Sequence, residues 1–421
     1  MSNRELKREL GIPSAVLMGL GSIIGTGVFV SIGTAVEISG WGVVLAIALS
    51  AFVAICNGLN SAQLASSHPV SGGTYEYGYK YLNSWWGFSA GWLFLLAKSA
   101  SAATAALGFA GYFTNITGID PQWQIVLAFA VVVGFTAIAA LGITRSNLAN
   151  TIIVSTTLLI LLFFTISGSS LVFHSAFWQS ASNAISQFNT LSILQATALM
   201  FVAYTGYGRI ATMGEEVINP RRTIPRAMVI SLGLSMTIYM LVSIVGVAGG
   251  IRAGAAPLSQ VAVQFPLPYS SQILAIGAIT AMLGVLLNLI LGLSRVLLAM
   301  ARRRDMPAFL AQINRSGTSP VSAVLTVGLG IAILTLLGNV KTTWSFSAFN
   351  VLIYYGITNL SALRLPQSDR LYSKWLSWAG LFACFFLAFW VEWHIWLVGL
   401  GLIALGLAWH GVAQSVRKKS H

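Results

Sequence analysis

The sequence predicts an all-α integral membrane protein of about twelve transmembrane helices, two of them broken near mid-membrane. Three observations carry that prediction. The 421 residues are 56% hydrophobic and only 8% charged, where a soluble domain carries about 25% charged residues. Apolar segments long enough to cross about 30 Å of hydrocarbon recur along the chain. Two of those segments are interrupted by clustered glycines and hydroxyl residues, at 21–27 and at 204–209.

The spans are expected near 13–37, 41–66, 84–112, 123–142, 148–171, 194–218, 226–249, 271–300, 320–338, 345–363, 372–391 and 394–413. Residues 1–12 form a cytoplasmic N-terminal segment without the small-residue cleavage site of a signal peptide, so the first span is expected to be retained. Residues 414–421 form a basic cytoplasmic tail. Lysine and arginine set the sidedness. With the N-terminus inside, the inner connections hold Arg4, Lys7, Arg8, Lys80, Arg145, Arg221, Arg222, Arg226, Arg302, Arg303, Arg304, Arg315, Arg364, Arg370, Lys374, Arg417, Lys418 and Lys419. The outer connections hold only Arg252 and Lys341. This positive-inside bias places both termini in the cytoplasm of a bacterial inner membrane or plasma membrane. It also accounts for most of the net charge of +13 without a nucleic-acid partner; the partner is the bilayer. Trp85, Trp86, Trp123, Trp390 and Trp393 sit where interfacial anchors belong.

The first interruption is Gly21-Ser22-Ile23-Ile24-Gly25-Thr26-Gly27. Each glycine costs a helix interior about 1 kcal/mol against alanine. A break in lipid survives only where protein or a polar cavity satisfies the freed backbone. The helix is expected to stop near Ile23–Thr26 and restart at about Gly27, turning unpaired amides toward the midplane. Such amides suit a carboxylate. Gly21 and Gly25 also read as a small-xxx-small pair for helix packing, and this stretch alone leaves the two readings even. A nucleotide loop would need a preceding soluble strand, which the sequence lacks.

The second interruption is Tyr204-Thr205-Gly206-Tyr207-Gly208-Arg209, in the sixth span. The two interruptions lie five spans apart. If 13–171 and 194–363 are related five-helix units, an odd span count inverts one against the other, and matched breaks mark a central site. The eleventh and twelfth helices, 372–413, fall outside the repeat and read as peripheral or oligomer-facing; no oligomeric state follows from the sequence. The 67–83 connection, with Pro69, Gly72 and Gly73 before Tyr75, Tyr77, Tyr79 and Tyr81, reads as an amphipathic inner-surface segment or as a turn with interfacial tyrosines.

Three cations fall inside spans. Lys98 lies about 20 Å from the inner end of the third span, among small residues that face other helices. It reads as a proton-titrating or cation-mimicking group, or as a structural lysine satisfied by carbonyls. Arg209 reads as a vestibule or gate residue, or as a structural partner of Glu215 or Glu216, and Arg295 as a snorkelling residue without a special role. Glu37, Glu392, Glu215 and Glu216 all lie near span ends, which argues against a carboxylate-chain proton pump and against a site built for polyamines. Cys56 and Cys384 form no metal or disulfide pattern, the five histidines are scattered, and neither a cofactor nor a nucleophile–base pair is indicated.

Four stretches together resemble the amino acid–polyamine–organocation superfamily of transporters. Gly21-Ser-Ile-Ile-Gly-Thr-Gly-Val-Phe29 is similar to its first-span signature. Pro69-Val-Ser-Gly-Gly-Thr-Tyr75 is similar to its loop after span two. Glu215-Glu-Val-Ile-Asn-Pro-Arg-Arg-Thr-Ile-Pro-Arg-Ala227 is similar to its loop after the broken sixth span. Ser294-Arg295, Ala299-Met-Ala-Arg302 and Met306-Pro307 are similar to the end of its eighth span. The resemblance runs in order across 12–363 and implies an inverted five-plus-five fold that moves amino acids by alternating access. It further implies that amides around Ile23, Ile24, Gly25, Thr26 and Gly27 hold the substrate carboxylate. Carbonyls near Val202, Ala203 and Tyr204, beside Gly206, would hold the amino group. Phe94, Val202 and Tyr207 would shape the side-chain pocket. Many relatives carry an aromatic gate where Val202 stands, and several sodium-independent ones carry a lysine in the fifth span, where this chain has Thr156 and Thr157. Lys98 is the substitute this sequence offers. The expectation is a permease for a small or apolar zwitterion, linked to H+ or acting as an exchanger. A Na+-coupled carrier of another small amine or organic cation is the alternative, ahead of a channel-like protein or an intramembrane enzyme.

Overall fold

The computed structural model describes residues 10–70, 72–142, 147–173, 189–214, 216–314 and 319–419. Among them all regular elements are helical. A lone parallel bridge, Leu10 with Val217, ties the start of the first span to the segment after the sixth. Ser71, Glu215, Arg145, Arg315 and the N-terminal Arg4, Lys7 and Arg8 lie outside the described residues.

The helices follow the twelve expected spans. The first is split into α1 (Ile12–Ile23), a π-helical stretch Gly27–Ser31 and α2 (Ile32–Ser39). Span two is α3 (Val43–Ser67), and α4 (Thr74–Tyr81) fills the connection after it. Span three is the 34-residue α5 (Ser84–Thr117), started by the Asn83 side chain accepting from the amides of Trp85 and Trp86, and ended by Gly118 at φ 72°. Spans four and five are α6 (Gln124–Ala140) and α7 (Asn147–Ser167). Span six begins with α8 (Thr190–Tyr204), capped by Asn189, and tightens into a 3-10 turn, Thr205–Tyr207, before one helical turn, Gly208–Ala211. Span seven is α9 (Pro220–Ala248), which opens on a proline that needs no amide there. A short α10 (Pro257–Ala262) precedes span eight, α11 (Ser270–Arg302). The last four spans are α12 (Val321–Thr335), α13 (Val340–Leu363), α14 (Lys374–Ala388) and α15 (Trp393–Lys419).

Among the described residues, seven helical stretches are long and apolar enough to cross a membrane, and Gly27–Ser67 enters that number as one; α1, α12 and α14 are shorter apolar helices. Large apolar side chains such as Leu159, Ile166, Phe382 and Leu405 stay exposed on the outer faces, where lipid replaces water.

Helix contacts inside the bundle rest on small residues and buried amides. Asn359 of α13 donates to Asn57 Oδ1 (2.6 Å) and accepts from Asn60 Nδ2 (2.7 Å), both on α3. Ser377 of α14 donates to Asn60 Oδ1 (2.7 Å), and Asn57 Nδ2 lies 3.2 Å from Cys384 Sγ. Helix eleven is therefore fastened to the bundle along one face, while Trp375, Trp378 and Phe382 on its other face stay exposed. Helix twelve likewise packs into the bundle: Gly399 meets Phe349, and Gly406 meets Trp92, whose Nε1 donates to Leu402 O. These contacts are not legible in the sequence, because an amide or glycine in an apolar run does not say which helix it faces. The 67–83 connection also differs from a surface-lying segment: Tyr75 and Tyr77 of α4 are buried.

Candidate functional site

The backbone of α1 leaves the helix after Ile23. Ile24 is extended (φ −83°, ψ 108°), its amide still reaching Leu20 O at 2.7 Å. The chain restarts with Val28 and Phe29 both donating to Gly25 O, at 3.1 and 3.2 Å. Amides at such a restart have no intrahelical acceptor ahead of them. The Thr26 hydroxyl is buried and finds no hydrogen-bond partner among the described residues. A buried hydroxyl without a partner costs about 1–3 kcal/mol, so an occupant that bonds it gains that amount back.

The second interruption is gentler than an unwound stretch. Thr205 folds back, its hydroxyl donating to Val202 O at 2.7 Å, and the helix narrows to 3-10 without losing helical direction. Gly206 explains why the two interruptions meet. A Cβ there would lie 2.2 Å from the carbonyl carbon and oxygen of Ser22 and 2.4 Å from Ile23 N. Only a glycine lets the sixth span touch the end of α1. Gly27 sits equally close to Ala203, its notional Cβ 2.6 Å from that methyl. Tyr239 of α9 joins the two: its fully buried hydroxyl lies 2.8 Å from Ile23 O and 3.1 Å from Ala203 O. The glycines of span one also pack helices, Gly21 against Val154 and Asn150, and Gly25 against Val285. The packing reading and the open-backbone reading therefore both describe this stretch.

Two cavities adjoin the interruptions. The smaller, about 40 Å³, is lined by Ser22, Ile23, Thr26, Gly27, Lys98, Ser101, Val202, Ala203, Thr205, Gly206, Val285, Leu289 and Trp344. The larger, about 220 Å³, shares Ser22, Lys98, Thr205, Gly206, Val285 and Leu289 and continues past Phe94, Asn288 and Tyr355 to Gly72, Tyr75, Arg209, Thr212, Glu216, Arg295 and Ala299. It thus runs from the interruptions toward α4 and the basic connections. On the opposite side the bundle is shut. Tyr112 Oη donates to Phe29 O at 2.7 Å and accepts from Leu258 N at 3.3 Å, while Gly33 packs on Pro257 and Gly111 on the Ala255 carbonyl.

Lys98 is half-buried where the two cavities join, and its Nζ donates to Thr205 Oγ1 at 2.8 Å. That hydroxyl in turn bonds Val202 O, so lysine, hydroxyl and carbonyl form one chain across the sixth-span turn. Among the residues singled out from sequence, Ile23, Thr26, Gly27, Phe94, Lys98, Val202, Ala203, Gly206 and Arg209 line the cavities. Ile24, Gly25, Tyr204 and Tyr207 do not. Tyr204 is fully buried with its ring 5.0 Å from Tyr239, and Tyr207 is fully buried with its ring 5.2 Å from Tyr355. Of the proposed carbonyls, Ala203 O already takes the Tyr239 hydroxyl and Val202 O takes Thr205.

Sequence reading missed Ser101, Val285, Asn288, Leu289, Trp344 and Tyr355, which line the site from spans three, eight and ten. Asn288 was the one with a signal, an amide amid an apolar run. Arg295, set aside as a snorkelling residue, lines the cavity mouth with Arg209. Arg209 makes no ion pair with Glu216 among the described residues, although both line the same cavity, and Glu215 lies outside those residues. No group of histidine, cysteine and acidic residues among the described ones is arranged to hold a metal.

A many-helix apolar bundle in which two interrupted helices meet at a cavity has the architecture of a membrane transporter. A family model described as "Amino acid permease" matches residues 10–401. An "Uncharacterized transporter" of Mycobacterium tuberculosis is 38% identical over 425 residues, covering 99% of this chain and 93% of the relative. The chain belongs to the amino acid permease family. More distant relatives include "Cationic amino acid transporter 3, mitochondrial" of Arabidopsis thaliana, 27% identical over 86% of this chain and 63% of the relative. "Branched-chain amino acid permease BcaP" of Bacillus subtilis is 29% identical over 79% of this chain and 75% of its own length. In fold the chain matches the crystal structure of MhsT in complex with L-phenylalanine, with a TM-score of 0.64 and 16% identity over 93% of this chain and 100% of that one.

Proposed function

We propose that this permease carries a neutral, small or apolar amino acid across the cell membrane by alternating access, with both termini cytoplasmic. The unit 13–171 and the inverted unit 194–363 would rock about the site between spans one and six. The observation that carries the reading is the buried Thr26 hydroxyl, without a partner among the described residues, at a helix restart beside a cavity. A substrate carboxylate against Thr26 and the amide of Gly27, both of which line the smaller cavity, satisfies that hydroxyl and meets the positive end of the restarted helix. Its amino group would take up the remaining lone pairs of the Val202 and Ala203 carbonyls. The side chain would point into the larger cavity between Phe94, Val285 and Leu289.

Charge selects the class of substrate. Lys98, Arg209 and Arg295 line the larger cavity against the single described carboxylate Glu216. A cationic side chain is repelled there, so the reading follows the branched-chain relative's kind of substrate and not the cationic one's. Lys98 stands as the coupling group. Its bond to Thr205 links its charge to the carbonyl of Val202, so proton uptake at Lys98 and substrate binding act on the same turn. A cavity open toward the basic connections is the inward-facing state.

The test is counterflow in proteoliposomes with a panel of labelled amino acids, with and without sodium and a pH gradient. Saturable counterflow of neutral apolar amino acids that arginine and lysine do not inhibit is expected. Flux that never saturates, or preference for a cationic amino acid, overturns the reading.

A further inference from the structure

We propose that His410 and Asp305 form a protonation-responsive latch that ties helix twelve to α4 and holds the mouth of the cavity open. Asp305 follows α11 directly, after Arg304 turns the chain at φ 61°, and it is fully buried. Its Oδ2 accepts from Tyr75 Oη (2.7 Å) and Tyr79 Oη (2.6 Å), both on α4. Its Oδ1 faces His410 Nδ1 at 3.7 Å, and its backbone carbonyl accepts from Trp409 Nε1 at 2.9 Å. Helix twelve thus grips Asp305, and Asp305 grips α4, whose Tyr75 lines the cavity.

His410 is fully buried, stacked on Phe88 at 4.4 Å with the edge of Trp85 at 5.0 Å. Gln414 Nε2, 2.9 Å from His410 Nε2, assigns the proton of the neutral ring to Nδ1. On protonation Gln414 turns its amide oxygen to the new Nε2–H, a rotation that the partner hydroxyl of Ser84 permits. The imidazolium then faces a carboxylate in a dry site, and the 3.7 Å gap closes to a charge-assisted bond. The other groups around the latch are Arg303, which lies over the rings of Tyr75 (5.3 Å) and Tyr79 (4.2 Å) and pairs with Glu76 (2.8 Å), and the two tyrosines themselves. At the far end of α4, His68 is held below its usual pKa by burial and by Lys80. A proton that strengthens contacts made with the mouth open shifts the population toward that state. Neither a bundle with the latch cut nor one without His410 has that response.

The proposal rests on the transport reading only in treating the larger cavity as the path, so its test reads cavity access and not transport. Ala299→Cys places a thiol on the cavity wall, while Gln122→Cys gives an exposed reference that corrects for thiolate fraction. In detergent, labelling of the cavity thiol by a charged methanethiosulfonate is expected to be about fivefold faster at pH 5.5 than at pH 8, the lower end of usual coupling. His410→Gln removes that ratio while His68 still titrates. The double variant Y75F/Y79F also removes it, with the His410–Asp305 pair left in place. A pH ratio preserved in either variant, or absent from the chain with His410 intact, overturns the latch. A merely structural His410 would change the level of labelling at all pH values and leave the ratio alone.

Discussion

A single methyl group at Gly206 tests whether the meeting of the two interrupted spans is what the molecule works by. The Cβ of Gly206→Ala would fall 2.2 Å from two backbone atoms of Ser22 and 2.4 Å from Ile23 N, where ordinary contact starts at 3.4 Å. Backbone cannot rotate aside, so the end of α1 and the 205–207 turn must part by roughly 1 Å, and a shift of that size at a reacting or binding centre costs about 100-fold. Overpacking a core typically costs about 1–3 kcal/mol, and contact with main chain belongs at the upper end. Gly233→Ala is the control, since nothing lies within 4 Å of its Cβ. Counterflow per folded molecule, with melting followed in detergent, separates the two effects. The expected result is flux reduced about 100-fold in Gly206→Ala, with a lower melting temperature, and no loss of flux in Gly233→Ala. Counterflow of Gly206→Ala at the rate of the unaltered chain refutes the reasoning, because the two ends would then not need to touch.

Gly27→Leu should abolish uptake while the protein still reaches the membrane, because its side chain enters the space held by Ala203 and the Tyr239 hydroxyl; unimpaired uptake removes the carboxylate role of this restart. Lys98→Ala should alter the pH dependence of transport in purified proteoliposomes, and an unchanged profile rejects a proton-linked Lys98. Asn359→Leu strips partners from Asn57 and Asn60, and should lower stability by about 1–3 kcal/mol, read as earlier loss of helix eleven on heating, with substrate affinity unchanged. Tyr239→Phe removes the hydroxyl bridge between Ile23 and Ala203 and should weaken substrate binding about tenfold, the worth of one lost bond of about 1.4 kcal/mol, seen as a raised half-saturation concentration.

The apolar spans, their order and the two interruptions can be read from the residues alone. Those features are local: a run of apolar residues must cross the bilayer whatever its neighbours, and Gly25 or Gly206 weakens a helix on its own account. The family resemblance lay in short ordered stretches for the same reason. What each buried polar group faces was decided only by tertiary structure. Lys98 is legible as a buried cation, but its bond to Thr205 depends on how span three packs on span six. Asp305 lies just beyond the eighth span and His410 is one of the scattered histidines, yet the fold buries both and brings them together. Asn57 and Asn60 lie in one run of apolar sequence and Asn359 in another, and only side-by-side helices turn them into one network. Lipid drives apolar faces outward equally in all directions, so hydropathy places a helix in the membrane without saying how it is rotated. Glycine contacts and buried hydrogen bonds fix that rotation, and they exist only between helices.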